Sequence, residues 1–249
     1  MTGILCETFE TYAILTLNKP ARRNVLGTQT GLDLQTHLAD LAEDNTIRAV
    51  ILTGAGKGFC AGSDLRELAV LDRDGRVAHE AATAAAVRAI SAHPVPVIAA
   101  VEGHALGGGF VLATACDLVV TARSARWAMP EVPKGFFPPW GMAPLLARVG
   151  PARAKLIVLG IEEFNGEDAV KAGVADWLCW DEKALDSAKG AAMRIAMLPE
   201  SAARKVKRFF GPDMAARAEA MDAEASALFA EDCDGPAARA SFARFRPKG

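Results

Sequence analysis

Pro96-Val97-Ile98-Ala99-Ala100-Val101-Glu102-Gly103-His104-Ala105-Leu106-Gly107-Gly108-Gly109-Phe110-Val111 decides the fold. Val95 to Val101 is a continuous apolar run rich in β-branched residues, which predicts a buried strand. Pro94 and Pro96 put a sheet edge or a strand start there. A helix is expected from Gly107 to Cys116, opened by three glycines. The first amides of a helix have no partner within it, and its dipole adds positive potential. This segment therefore joins a strand to a turn of bare N–H groups.

Two other stretches gain meaning beside it. Downstream, Met129-Pro130-Glu131 sets one carboxylate in an apolar neighbourhood. Upstream, Ala49 to Thr53 reads as a buried strand ended by Gly54. It leads through Gly54-Ala55-Gly56-Lys57-Gly58 to Phe59-Cys60-Ala61-Gly62-Ser63-Asp64-Leu65, a second turn of small residues. Small residues let a ligand approach the backbone. Two amide donors and one carboxylate suffice to stabilise an enolate and move a proton. The nucleotide-binding alternatives fit less well. Gly58 is not followed by the helix that a dinucleotide fingerprint requires, and Lys57 lacks the Ser or Thr of a phosphate-cradling loop.

The 249 residues, 51% hydrophobic and 23% charged, support one large domain with a sizeable core. The net charge of −2 argues against a nucleic-acid surface. The local basic cluster Arg204-Lys205-Val206-Lys207-Arg208 reads as a solvated helix face. Five cysteines without C-x-x-C spacing predict reduced thiols and a cytoplasmic location. Four dispersed histidines predict no metal site. The start, Met1-Thr2-Gly3-Ile4, shows no secretory pattern, and no apolar run reaches membrane-spanning length. Cys60 reads as a packed thiol, and His104 as a structural hydrogen-bonding residue.

Strands are expected at Ile4 to Phe9 and Tyr12 to Leu17, paired about a turn at Glu10-Thr11, and again at Leu118 to Thr121. Helices are expected from Thr28 to Glu43, with apolar Leu32, Leu34, Leu38 and Leu41, and from Asp74 to Ser91. Beyond Trp140, Met142 to Val149, Pro151 to Leu159 and Gly166 to Ala172 read as helices, and Val174 to Leu178 as a strand. Amphipathic helices then fill 181–197, 199–210, 213–230 and 235–244. The pattern is an α/β body with a helical tail, divided into a core of residues 1–195 and a helical region of 196–249.

Taken in order, these segments resemble the crotonase, or enoyl-CoA hydratase/isomerase, superfamily. The matching stretches run from Asn18 to Leu26, Leu52 to Leu65 and Pro96 to Gly109. They continue through Ala115-Cys116-Asp117-Leu118 and Glu131 to Ala169–Ala175. The resemblance implies a spiral of β-β-α turns, a C-terminal helical trimerisation region, and a homotrimer or hexamer. It implies an acyl-coenzyme A thioester as substrate and no separate cofactor. The amides of Ser63 and Gly108 would hold the thioester oxygen as an oxyanion hole. Residues 61 to 65 (Ala61, Gly62, Asp64 and Leu65 beside Ser63) and the Ala21-Arg22 loop would line the coenzyme A moiety. Gly107, Val111, Pro130, Phe136, Pro139 and Trp140 would line the substrate site around Glu131.

The chain departs from the family's hydratases at two positions. Their first catalytic glutamate corresponds to Val111, which carries no proton. A water-gripping backbone amide corresponds to Pro139, which has no N–H. Glu131 matches their second glutamate. Family isomerases keep only that glutamate, and Phe136-Phe137-Pro138-Pro139-Trp140 resembles their dry loop. The expected reaction is Δ3-to-Δ2 enoyl-CoA isomerisation with Glu131 as proton shuttle. Hydration or a hydratase-lyase reaction with one glutamate is the alternative. A non-catalytic acyl-CoA-binding protein and a nucleotide-dependent dehydrogenase are alternatives of other classes. Dehalogenase and 1,4-dihydroxynaphthoyl-CoA synthase chemistry needs an aspartate in this loop, and none lies between Glu131 and Pro151.

Overall fold

The computed structural model describes residues 3–246. The readings placed on Met1 and Thr2, and the outermost limits of the two regions, lie outside these residues. Six strands form the main sheet: β1 (Ile4–Thr8), β2 (Tyr12–Leu17), β3 (Ala49–Gly54), β4 (Val97–Val101), β6 (Leu118–Ala122) and β8 (Trp177–Cys179), in that spatial order. Only β1 and β2 are antiparallel; every later pair is parallel. The parallel strands are covered on both faces, which explains why β3 and β4 read as unbroken apolar runs. Ile14, Ile51, Ile98 and Val120 face a helix α7 (Ala184–Ala196) that presents alanines. The alternate residues, among them Leu15, Val50, Leu52 and Val97, join the larger core on the other face.

A second, two-stranded layer pairs β5 (His104–Leu106) with β7 (Arg126–Ala128) in parallel. Isolated bridges extend this layer from Leu26 to Ser63 and from Cys60 to Ala105. Each turn of the chain thus contributes one stretch to each layer and then a helix, which is the expected spiral. Helix α1 (Thr28–Glu43) closes one turn, α2 (Leu65–Val70) and α3 (Arg73–Ala92) the next, and α4 (Gly108–Thr114) the third. The remaining helices are α5 (Met142–Val158), α6 (Gly166–Lys171), α8 (Glu200–Asp232) and α9 (Pro236–Ala243).

Several details differ from the sequence reading. Strand β4 lies between β3 and β6, so its prolines mark a start and not an edge; Pro96 still accepts a bond from the Val50 amide. The stripe of α1 runs through Thr30, Gly31, Leu34, Leu38 and Leu41, and Leu32 faces outward. The segments 199–210 and 213–230 are one helix that carries Pro212 inside it. The two helices expected at Met142 to Val149 and Pro151 to Leu159 are both present, meeting at Gly150, whose φ of 74° breaks the helical path. The expected strand at Val174 shortens to Trp177–Cys179 because the Val174 and Ala175 amides both return to the Ala169 carbonyl at the end of α6. Strands β5 and β7 and helix α2 are too short for a periodic pattern to register. Helix α2 is capped by Asp64, whose carboxylate accepts the Arg66 and Glu67 amides.

Candidate active site

The spiral brings the two amide-rich turns against each other. Leu106 donates its amide to the Cys60 carbonyl at 2.9 Å, tying the upstream turn to β5. A Cβ placed on Gly62 would lie 2.9 Å from the Gly108 nitrogen, so only glycine permits this approach. The Leu26 carbonyl takes the Asp64 amide and the Gly62 carbonyl takes the Leu26 amide. That pattern leaves the Ser63 amide without an acceptor among the described residues. Gly108 is the first residue of α4, so its amide has no partner within the helix. The two free N–H groups expected from the sequence therefore line one cavity.

Glu131 follows β7 and precedes a short 3-10 turn, Val132–Lys134, closed by Gly135. This places its carboxylate over Gly107, at the foot of α4. The residue is 9% exposed, and its Oε2 has no hydrogen-bond partner among the described residues. Burial pushes its pKa up to about 7, with further repulsion from Glu80, while its own backbone and Lys134 pull the other way. A carboxyl titrating near neutrality suits a general base. Burial and the Arg23 charge hold the Lys134 ammonium below its ordinary range, against the pull of Glu131.

The cavity of about 40 Å³ is lined by Val111, Phe136, Pro139 and Trp140. Ala61, Gly62, Leu65, Gly107 and Pro130 also border it. A neighbouring groove of about 360 Å³ shares Ala61, Ser63, Leu65, Pro130 and Lys134 with the cavity. Ala21, Arg22 and Asp64 lie on that groove, together with Arg23 and Arg66, which the sequence reading had not singled out. Asp64 is buried and accepts a 2.6 Å bond from the Arg22 guanidinium, so its charge is used within the protein.

The carboxylate of Glu80 is the site residue that sequence reasoning missed. It projects from α3 into the same cavity as Glu131. Ser63 Oγ donates to its Oε2 at 2.9 Å and Trp140 Nε1 at 2.6 Å. In the sequence it is one acidic residue in an alanine-rich helix, with no local signal. Cys60 is a buried thiol whose pKa burial pushes to about 12, consistent with packing. His104 lies beside Gly58 and near the Arg23 carbonyl, and burial lowers its pKa.

The fold sets Ser63, Gly108 and the buried carboxylate of Glu131 on one cavity. Comparison with known proteins gives it a family. The model of the family described as enoyl-CoA hydratase/isomerase matches residues 7–248. The chain is 34% identical, over 82% of its length and 79% of the relative's, to a probable enoyl-CoA hydratase of Mycobacterium bovis. It is 37% identical to the 1,2-epoxyphenylacetyl-CoA isomerase of Escherichia coli, over 80% of this chain and 78% of that one. A solved enoyl-CoA hydratase/isomerase from Mycobacterium paratuberculosis superposes with a TM-score of 0.87 at 26% identity, covering 98% of each chain. This chain belongs to the enoyl-CoA hydratase/isomerase family, within the crotonase superfamily, and is an enzyme.

Proposed function

We propose that this enzyme binds an enoyl-coenzyme A thioester and moves its double bond from Δ3 to Δ2. The carrying observation is the buried, unpartnered Oε2 of Glu131, in a cavity where Val111 and Pro139 replace water-holding groups. Glu131 as carboxylate removes a C2 proton. The electron pair moves toward the thioester oxygen, which the Ser63 and Gly108 amides stabilise; one such donor contributes about 3–4 kcal/mol in a measured case. The enolate then collapses with protonation at C4, and Glu131 can return the proton because one base near both carbons suffices. Arg22, Arg23, Arg66 and Lys134 give the adjoining groove the charge that coenzyme A phosphates require.

The large apolar side chains exposed on α8, including Val206, Phe209 and Phe210, support a homotrimer or hexamer built through the helical region 196–249. Five unpaired thiols support a cytoplasmic setting. Hydration is the second reading, favoured by the relatives named hydratases and by the second carboxylate, Glu80. The deciding assay offers the enzyme crotonyl-CoA and a 3-enoyl-CoA and identifies products by mass and NMR. Conversion of the 3-enoyl to the 2-enoyl thioester should outpace hydration. Rapid 3-hydroxyacyl-CoA formation with little isomerisation would overturn the isomerase reading.

A further inference from the structure

Behind the cavity wall, three side chains make a line from the pocket to the surface. Glu80 is 3% exposed and borders the cavity. His79 Nδ1 lies 3.6 Å from Glu80 Oε1, and His79 Nε2 lies 3.8 Å from Glu67 Oε2. The imidazole is wholly buried, and neither ring nitrogen has a hydrogen-bond partner among the described residues. Two orphaned ring nitrogens in a buried side chain call for an explanation. Each of them faces a carboxylate just beyond bonding distance, so a shift of under about 1 Å would close both contacts. Glu67 is 36% exposed and rests on Thr28, whose hydroxyl donates to it at 2.6 Å. Its outer end therefore reaches water.

We propose that Glu80 is a second acid–base group of this cavity, connected to solvent through His79 and Glu67. The proposal rests on the isomerase reading, in which Glu131 removes the C2 proton. In the second channel, His79 passes its Nδ1 proton to Glu80 Oε1, and Glu80 delivers that proton to C4. The enolate electron pair forms the C4–H bond as the C2–C3 double bond forms and the thioester carbonyl is restored. The imidazole, neutral throughout with its single proton first on Nδ1, takes a proton at Nε2 from Glu67, which is reprotonated from water, and a ring flip then returns the N–H to the Glu80 side for the next turnover. Glu131 gives the C2 proton to solvent, so one proton enters and one leaves.

The charge around His79 supports this route. Burial, the largest influence, lowers the imidazole pKa, but the carboxylates of Glu80, Glu67 and Asp64 together outweigh it and the net direction is upward. Ser63 Oγ and Trp140 Nε1 meanwhile fix the Glu80 carboxylate at the cavity wall.

The test uses a 3-enoyl-CoA deuterated at C2 in ordinary water, with NMR analysis of label at C4. Return by Glu131 alone carries deuterium from C2 to C4, whereas return through Glu80 places solvent protium there. The intact enzyme should give a substantial fraction of protium at C4. Glu80→Gln, which keeps the acceptors for Ser63 and Trp140, should raise C2-to-C4 deuterium transfer by roughly twofold or more per turnover. Glu67→Gln should shift the label in the same direction, and it decides the matter alone if Glu80→Gln does not fold. A purely positioning role for Glu80 would change kcat without changing the label ratio. An unchanged ratio in both variants overturns the proposal while leaving Glu131 intact as the base. Absence of any isomer from the parent enzyme overturns both readings.

Discussion

The Glu131 carboxylate occupies the space that a side chain on Gly107 would fill. Gly107 has φ 53° and ψ −121°, a combination that residues with a Cβ rarely adopt. The glycine therefore serves the base as much as the backbone. Gly107→Ala should displace Glu131, lower kcat by at least about tenfold, and cost roughly 1–3 kcal/mol through backbone strain. Chemical denaturation together with steady-state rates would check both effects. Normal rates would mean that the carboxylate works from another position.

Glu131→Gln should keep the fold and the affinity for acyl-CoA but lose about 10²–10⁴-fold in turnover. The amide matches the carboxylate in shape and cannot accept the C2 proton. Titration calorimetry with a non-reactive acyl-CoA, beside the rate assay, separates binding from chemistry. Near-parental activity would remove Glu131 from the mechanism.

The titration of Glu131 fixes the sign of two pH effects. As a base it works deprotonated, so kcat/KM should rise with pH through about 7 and then level. Stability should move the other way. Its folded pKa lies above the ordinary 4.5, so between these values the folded state holds a proton that the unfolded state has lost. That contribution is present below about 4.5 and is lost as pH rises through about 7. Glu131→Gln should therefore gain stability relative to the parent between pH 5 and 8 in matched thermal melts. A constant difference across that range would show that the carboxyl titrates elsewhere.

Helix α8 braces the loop over the cavity from outside. Asp222 accepts the Gly141 amide at 3.0 Å and the Arg88 guanidinium at 2.7 Å, and Asp232 accepts the Phe137 amide at 2.8 Å. Asp222→Ala should cost about 1–3 kcal/mol, because it strands a buried amide and a half-buried guanidinium. It should also lower kcat through movement of Trp140, next to Gly141. Asp222→Asn, which still accepts the Gly141 amide, should lose less of both. Equal losses in urea melts and rates would place the effect in the charge and not in the loop.

The local signals of the sequence carried much of the plan. Apolar runs marked the parallel strands, glycine clusters marked both amide turns, and Met129-Pro130-Glu131 marked the buried carboxylate of the cavity. Those features depend on a few consecutive residues, so they are legible without contacts. The outward turn of Leu32 and the unbroken α8 were not legible, because packing decides which face is covered and whether a proline breaks a helix.

The sequence by itself determined the alternation of strand and helix, the two glycine-rich turns, and the absence of a carboxyl at Val111. Tertiary structure alone decided that Glu80, 51 residues before Glu131, shares its cavity and is held by Trp140, 60 residues further on. The physical reason is the spiral. Each turn returns the chain to the same two layers, so side chains from α3, the turn after β7 and the loop before α5 converge on one point. No pattern along the chain encodes that convergence, because it arises from strand register and helix packing between turns.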